Sequence, residues 1–286
     1  MKILRTKDEL RAACNAARAS GKRVGFVPTM GALHAGHTSL MDAAAREGAD
    51  FVVTSIFVNP LQFAEGEDLD KYPRTFDADV AACQAHGVHA VFAPEKSAMY
   101  GSGFSTEVRV SNVTAPFEGE HRPDHFSGVT TVVAKLFNLV GESMAIFGRK
   151  DFQQWRTLAR LAQDLDMPIR VIGEPTIREE DGLALSSRNR YLSGADRKRA
   201  LALSAGLRRA EAAWNGGERS ADKLVTLARG PIEEAFDRVD YVGAAEPSDL
   251  GTPEANATRL VLLAAAHLGD TRLIDNIELG PKVDAA

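Results

Sequence analysis

Two histidines, His34 and His37, stand three residues apart in PTMGALHAGHTSL, residues 28–40, a stretch otherwise rich in glycine and small residues. Gly31 and Gly36 let a backbone or ligand approach closely. The residues before the pair, Arg23-Val24-Gly25-Phe26-Val27, read as a short buried strand, and residues 38–47 form a good helix that stops at Gly48. The histidines therefore sit where a strand turns into a helix, the place where free N–H groups and the helix dipole attract phosphate. Such a site lowers a histidine pKa unless a bound anion restores the charge, and it suits donation to phosphate oxygens as charge builds on them. The plainer alternative is a capping histidine beside a core histidine.

Three further clusters invite the same double reading. FGRKDFQQW (147–155) ends a strand and opens a helix, so Lys150 and Asp151 are either a surface ion pair or a point charge for a phosphate at the strand's carboxyl end. Gln153 and Gln154 are adjacent and diverge, so at most one faces a ligand. NPLQF (59–63) closes another strand at Pro60 and leaves Gln62 in a loop, either solvated or facing the cleft. Ser186-Ser187-Arg188 offers two hydroxyls and a planar cation, a phosphate grip or a capped linker.

The elements that would carry these residues alternate. Strands are expected at 24–28, 51–58, 89–93, 143–147 and 169–172, with helices near 37–47, 76–86, 130–140 and 151–165. Thr6-Lys7-Asp8-Glu9 is a capping-box start for a helix running to about Ser20. Strands apolar on both faces imply a doubly wound parallel sheet, with ligands at the carboxyl ends of its strands. No G-x-G-x-x-G follows the first strand, which argues against a dinucleotide. Two irregular pieces interrupt the pattern, an acidic one at 60–75 expected to be mobile and one at 94–128 with several Gly and Pro. Beyond residue 176 the character changes to two helices (194–216, 221–236) and three strands (238–244, 258–267, 271–279). The reading is a Rossmann-like domain over 1–176 and a smaller α+β lid domain over 177–286, with the 186–188 loop beside the cleft.

Composition sets the class. The chain has 286 residues, 44% hydrophobic and 26% charged, as in ordinary globular proteins, and its net charge of −5 offers no basic footprint for nucleic acid. Cys14 and Cys83 lie in alanine-rich helical segments and read as small core residues in a reducing compartment. No apolar segment of signal-peptide type follows Met1, and the longest apolar run, 260–266, is too short to span a bilayer. A soluble, cytoplasmic protein is expected.

H-x-G-H after a first strand resembles the HIGH motif of nucleotidyltransferases and class I aminoacyl-tRNA synthetases. Over a longer span the chain resembles the pantoate–beta-alanine ligase family. The match comprises P-T-M-G-A-L-H-x-G-H (28–37), N-P-x-Q-F (59–63), Y-P-R-T (72–75), H-R-P-x-H-F-x-G-V (121–129), G-x-K-D-x-Q-Q (148–154) and D-G-L-A-x-S-S-R-N-x-Y-L (181–192). Six motifs in order make it specific. It implies joining of (R)-pantoate to beta-alanine through a pantoyl adenylate, with release of AMP and pyrophosphate, by a homodimer using ATP and its Mg2+. By the same resemblance His34 and His37 hold the ATP phosphates, with His37 the proton donor and Lys150 completing the catalytic set. Met30, Gly31, Gly36, Gly148, Lys150, Asp151 and Ile177 line the nucleotide site, Ser186, Ser187 and Arg188 close over the triphosphate, and Gln62 and Gln154 bind pantoate. Arg149 and Leu185 fall at positions that vary in the family; Arg149 adds a charge expected beside the phosphates. Neutral amides agree with the chemistry, because they orient a carboxylate without quenching it as a nucleophile. No metal cluster is visible. The competing readings are a nucleotidylyltransferase that leaves the nucleotide on its product, and an inactive nucleotide-binding module.

Overall fold

The structure, a computed structural model, describes residues 1–63, 66–67, 69–70 and 72–281. Its first part interleaves β1 (Lys2–Leu4), α1 (Lys7–Ala19), β2 (Val24–Thr29), α2 (Ala35–Arg46), β3 (Phe51–Ile56), α3 (Phe76–Ala85) and β4 (Ala90–Phe92). Two single-turn helices, α4 (Lys96–Met99) and α5 (Glu118–His121), precede α6 (His125–Val140), β5 (Ser143–Gly148), α7 (Phe152–Asp164) and β6 (Ile169–Glu174). The second part holds α8 (Gly194–Asn215), α9 (Ala221–Ala235), β7 (Arg238–Ala245), β8 (Leu260–Leu268) and β9 (Thr271–Leu279).

The six strands β1 to β6 form one parallel sheet in the order β1-β4-β3-β2-β5-β6. From β2 the chain winds first toward β4, then returns to place β5 on the other side of β2. The order therefore reverses between β2 and β5, and a crevice opens beyond their carboxyl ends. Both faces are covered. Phe26, Val53, Phe92 and Ala145 pack with residues of α1, α6 and α7, whereas Val27, Val52, Val91 and Ile146 pack with Leu40 and Met41 of α2 and Cys83 of α3. Cys14 and Cys83 are both free and buried. The capping box at Thr6 forms as read: Thr6 Oγ1 accepts from the Glu9 N–H at 3.2 Å and Glu9 Oε2 accepts from the Thr6 N–H at 2.9 Å.

The expected elements form with several differences, among them the short helices α4 and α5 within the 94–128 piece and a β3 that ends at Ile56. β1 is an additional parallel edge strand of three residues, of which only Leu4 is buried. α6 begins at His125 rather than 130, because Gly128 has no side chain: a Cβ there would meet the Leu61 carbonyl oxygen at 2.1 Å. Residues 60–75 lie partly outside the described residues; within them Pro60–Gln62 forms a 3-10 turn capped by Asn59.

The antiparallel sheet β7-β8-β9 is enclosed on both sides. Leu262, Ala264 and Ala266 of β8 face α8 and α9, while the intervening Val261 and Leu263 join the core of the first part. This strict alternation follows from the two-residue period of a strand. Polar ties reinforce the junction. Glu118 of the first part receives both Arg272 Nη atoms, at 2.9 and 2.6 Å, with the Tyr241 hydroxyl at 2.7 Å, while within the second part Arg178 makes a two-pronged bond to Asp275. Burial alone would raise the Glu118 carboxyl, but the Arg272 hydrogen bonds and charge outweigh it and hold the pKa at about 2.

Candidate active site

Beyond β2 the chain must turn sharply to enter α2. Gly31 takes φ +84°, and Asp79 of α3 receives the next two N–H groups, Ala32 at 3.0 Å and Leu33 at 2.8 Å. A side chain at Gly31 would collide with Asp79 Oδ2 at 2.9 Å. Gly31 therefore shapes the turn behind the crevice and is not among the residues lining it.

His34 is the N-cap of α2, and the two histidines form a capping box with each other. His34 Nδ1 accepts from the Gly36 N–H at 3.1 Å, and His37 Nδ1 accepts from the His34 N–H at 3.3 Å. With Nδ1 accepting, the ring hydrogen of each neutral imidazole resides on Nε2. Capping and site-building are thus the same act: fixing Nδ1 leaves two Nε2–H donors for the cavity. Burial, then Lys150, pushes the His34 pKa down to about 4, against a smaller opposing effect of Asp151. Burial, then His34 and Lys150, lowers His37 to about 3. Both rings are neutral at pH 7. Protonating Nδ1 of His37 would break its bond from the His34 N–H, so in this geometry the hydrogen the ring offers to the cavity is the one on Nε2.

These side chains open on a cavity of about 1240 Å³, which also receives Met30, Gly36, Gly148, Lys150, Asp151, Ile177, Leu185, Ser186, Ser187 and Arg188. Gln62 and Gln154 line the same cavity. Lys150 Nζ lies 3.7 Å from Asp151 Oδ1, so the ion pair and the cleft position coexist. Ser186 caps a 3-10 turn by accepting from the Arg188 N–H at 3.2 Å, and Leu185 N–H bonds the Ile177 carbonyl at 3.0 Å, which brings that loop over the crevice.

Arg149 goes elsewhere. It turns from the cleft to pair with Glu278 at 2.9 Å, donates to the Gly173 carbonyl at 2.8 Å and lies over Trp155. At 12% and 11% side-chain exposure the pair is largely out of water, and Arg149 does not line the cavity. The expectation of an added charge beside the phosphates is corrected on this geometry: a carboxylate on β9 recruits the guanidinium first.

Both adjacent glutamines line the cavity, but their hydrogen bonds differ. Gln153 is buried and structural: its Oε1 accepts from the Glu118 N–H at 3.1 Å and its Nε2 donates to the carbonyls of Val113 and Pro116. Gln154 makes none of these bonds. The Gln62 amide is aimed by Asn59, whose Nδ2 donates to Oε1 at 3.1 Å, while Gln62 Nε2 points at the Met30 sulfur at 3.0 Å. Sulfur is a weak acceptor, so that N–H remains available to a better one.

Three residues of the site escaped the motif-by-motif reading. Asn59 orients Gln62, and Asn276 on β9 donates to the carbonyls of Arg149 and Lys150 at 2.9 and 2.8 Å, bracing the lysine's turn. His125, the first residue of α6, also lines the cavity. Asn59 and His125 lay within quoted motifs, N-P-x-Q-F and H-R-P-x-H-F, whereas nothing local marks Asn276.

A parallel sheet that reverses its order beside a capped helix, with neutral N–H donors and a lysine converging on one cavity, defines an α/β protein of the kind that handles phosphate-bearing ligands at a switch point. The comparisons narrow the class. The family model described as Pantoate-beta-alanine ligase matches residues 2–278. A pantothenate synthetase of Ectopseudomonas mendocina is 51% identical over 279 residues, 97% of this chain and 98% of that protein. A solved pantothenate synthetase of Thermus thermophilus superposes with a TM-score of 0.92 at 43% identity, covering 98% of this chain and 100% of the other. A pantoate–beta-alanine ligase of Francisella tularensis, solved in complex with beta-gamma ATP and beta-alanine, gives 0.80 at 30% identity and covers 97% of each chain. The chain belongs to the pantoate–beta-alanine ligase family.

Proposed function

We propose that this enzyme performs the family's reaction, the ATP-dependent condensation of pantoate with beta-alanine, in two steps within the one cavity. Its support is that one cavity is lined both by donors and a cation suited to phosphate, His34, His37 and Lys150, and by the neutral amides of Gln62 and Gln154. ATP enters with its Mg2+. The pantoate carboxylate, oriented by Gln62 and Gln154, attacks the α-phosphorus, and pyrophosphate departs. Charge on the transferring phosphoryl group is met by the Nε2–H donors of His34 and His37 and by Lys150, all preset before substrate arrives. Ser186, Ser187 and Arg188 grip the triphosphate from the loop above. The amine of beta-alanine then attacks the acyl carbon and AMP leaves.

In this reading residues 1–176 carry the nucleotide and pantoate sites, and 177–286 supply the covering loop and brace the turn that bears Lys150. The enzyme acts in the cytoplasm as a homodimer, which sedimentation at micromolar concentration tests. The decisive assay is isotope exchange. Labelled pyrophosphate is expected to enter ATP when pantoate is present and beta-alanine absent. Exchange that requires beta-alanine, or ADP as product, overturns the adenylate.

A further inference from the structure

The half-buried imidazoles of His34, His37 and His125 all line the cavity, and they do not present the same face. His34 and His37 use Nδ1 as an acceptor and offer an N–H. His125 is reversed: its Nδ1 lies 3.0 Å from the carbonyl oxygen of Gln62, which can only accept, so Nδ1 carries the hydrogen and Nε2 carries the lone pair. No described residue hydrogen-bonds to that Nε2, and the half-buried ring lines the cavity. The bond to Gln62 also fixes where the ring sits, beside the residue assigned to pantoate.

His121, which also lines the cavity, is solvent-exposed and its ring lies against Tyr241, and the charged candidates nearby are occupied. Glu118 and Asp240 are both held by Arg272, His267 Nε2 lies 3.0 Å from Asp240 Oδ2, and Asp151 is next to Lys150. We infer that His125 is the base of the second step, its Nε2 accepting the proton that the beta-alanine nitrogen must lose as the amide forms. The inference rests on the two-step reading above. In the step, the amine lone pair forms the C–N bond and the C–O bond to phosphate breaks with its electrons on AMP. The N–H proton passes to Nε2 and from there to the departing phosphate, so the balance closes without any further reactant.

The surroundings suit such a transfer. Burial, then the Arg122 guanidinium, lowers the His125 pKa to about 4, against the Gln62 carbonyl and the carboxylates of Glu118 and Glu67. The imidazole is thus already unprotonated when substrate arrives, and once protonated it passes the proton on readily. A nitrogen on which positive charge develops as the C–N bond forms is acidic enough to supply it.

The test separates the half-reactions. His125→Asn keeps an N–H at the Nδ1 position for the Gln62 carbonyl but has no group at Nε2. It is expected to retain pantoate-dependent pyrophosphate exchange at the wild-type order of magnitude, while single-turnover amide formation from preformed pantoyl adenylate slows about 10²-fold or more. His125→Gln, whose amide oxygen reaches toward the Nε2 position, is expected to recover part of that loss, which a merely structural role would not allow. Equal loss of exchange and amide formation would place His125 on pantoate and overturn the inference, as would an unimpaired second step. Absence of exchange in the wild-type enzyme would instead refute the adenylate reading itself.

Discussion

The His34 N–H donates into Nδ1 of His37 at 3.3 Å, and the two rings lie 4.1 Å apart at a 40° tilt. One bond thus ties helix capping to ring orientation, and the two roles can be separated by substitution. Asparagine caps a helix as well as any residue, so His34→Asn is expected to keep the stability of α2 while removing the Nε2–H donor. Turnover is expected to fall by roughly 10²–10³, the cost of losing one preorganised donor to developing charge. Urea unfolding and steady-state rates on the same preparation decide it; retained turnover returns His34 to capping alone.

Acid is expected to destabilise the protein well before its carboxylates titrate. His34, His37 and His125 are held near 4, 3 and 4 against an ordinary 6.5. Below pH 6.5 the unfolded chain takes up protons that the folded one refuses, so stability falls as pH drops from 6.5 toward 4. The slope is up to about 1.4 kcal/mol per pH unit for each ring. Urea midpoints at pH 7, 6 and 5 measure this, and His125→Asn should flatten the curve.

Arg149 and Lys150 are neighbours with opposite expected phenotypes. Arg149→Ala strands the largely buried Glu278 carboxylate and should cost about 2 kcal/mol of stability with little change in ATP affinity. Lys150→Ala should weaken ATP binding or slow adenylation in a protein of near-normal stability. Calorimetric ATP titration beside thermal unfolding of both variants distinguishes them. An Arg149 variant that loses ATP affinity without losing stability would put the guanidinium back in the cleft.

The glutamines should divide in the same way. Gln153→Ala leaves the buried Glu118 N–H and two carbonyls without partners, and a loss of about 2–3 kcal/mol is expected. Gln154→Ala and Gln62→Ala should instead raise the KM for pantoate with ATP affinity retained. Loss of ATP affinity on Gln62→Ala would mean that the two halves of the cavity are wrongly assigned.

The fold was legible wherever period and punctuation coincide. β2, β3, β5 and β6 are runs of apolar residues closed by polar or glycine-containing turns, and Thr6 and Gly48 mark helix ends in the sequence itself. β1 was missed because three residues with one buried side chain carry no period. The start of α6 was displaced because 94–128, with its several Gly and Pro, reads as irregular until the Leu61 carbonyl is seen against Gly128. In the site, the histidine pair and Lys150 were readable from their places at strand ends. Arg149 was misplaced and Asn276 missed for one reason: their partners, Glu278 on one side and the 149–150 carbonyls on the other, lie more than a hundred residues away. Chain adjacency says nothing about which pocket a side chain enters.

The alternation along β8, with Leu262 toward α8 and α9 and Leu263 toward the first core, has a consequence for dissecting the enzyme. A chain cut between residues 176 and 177 would leave each fragment with half of a nonpolar contact that neither can satisfy alone. The pieces would be poorly soluble singly and would seek each other when made together. Activity regained only on co-expression would make this ligase a split reporter, and the strength of its reassembly would measure how much of the fold the Leu263 face holds.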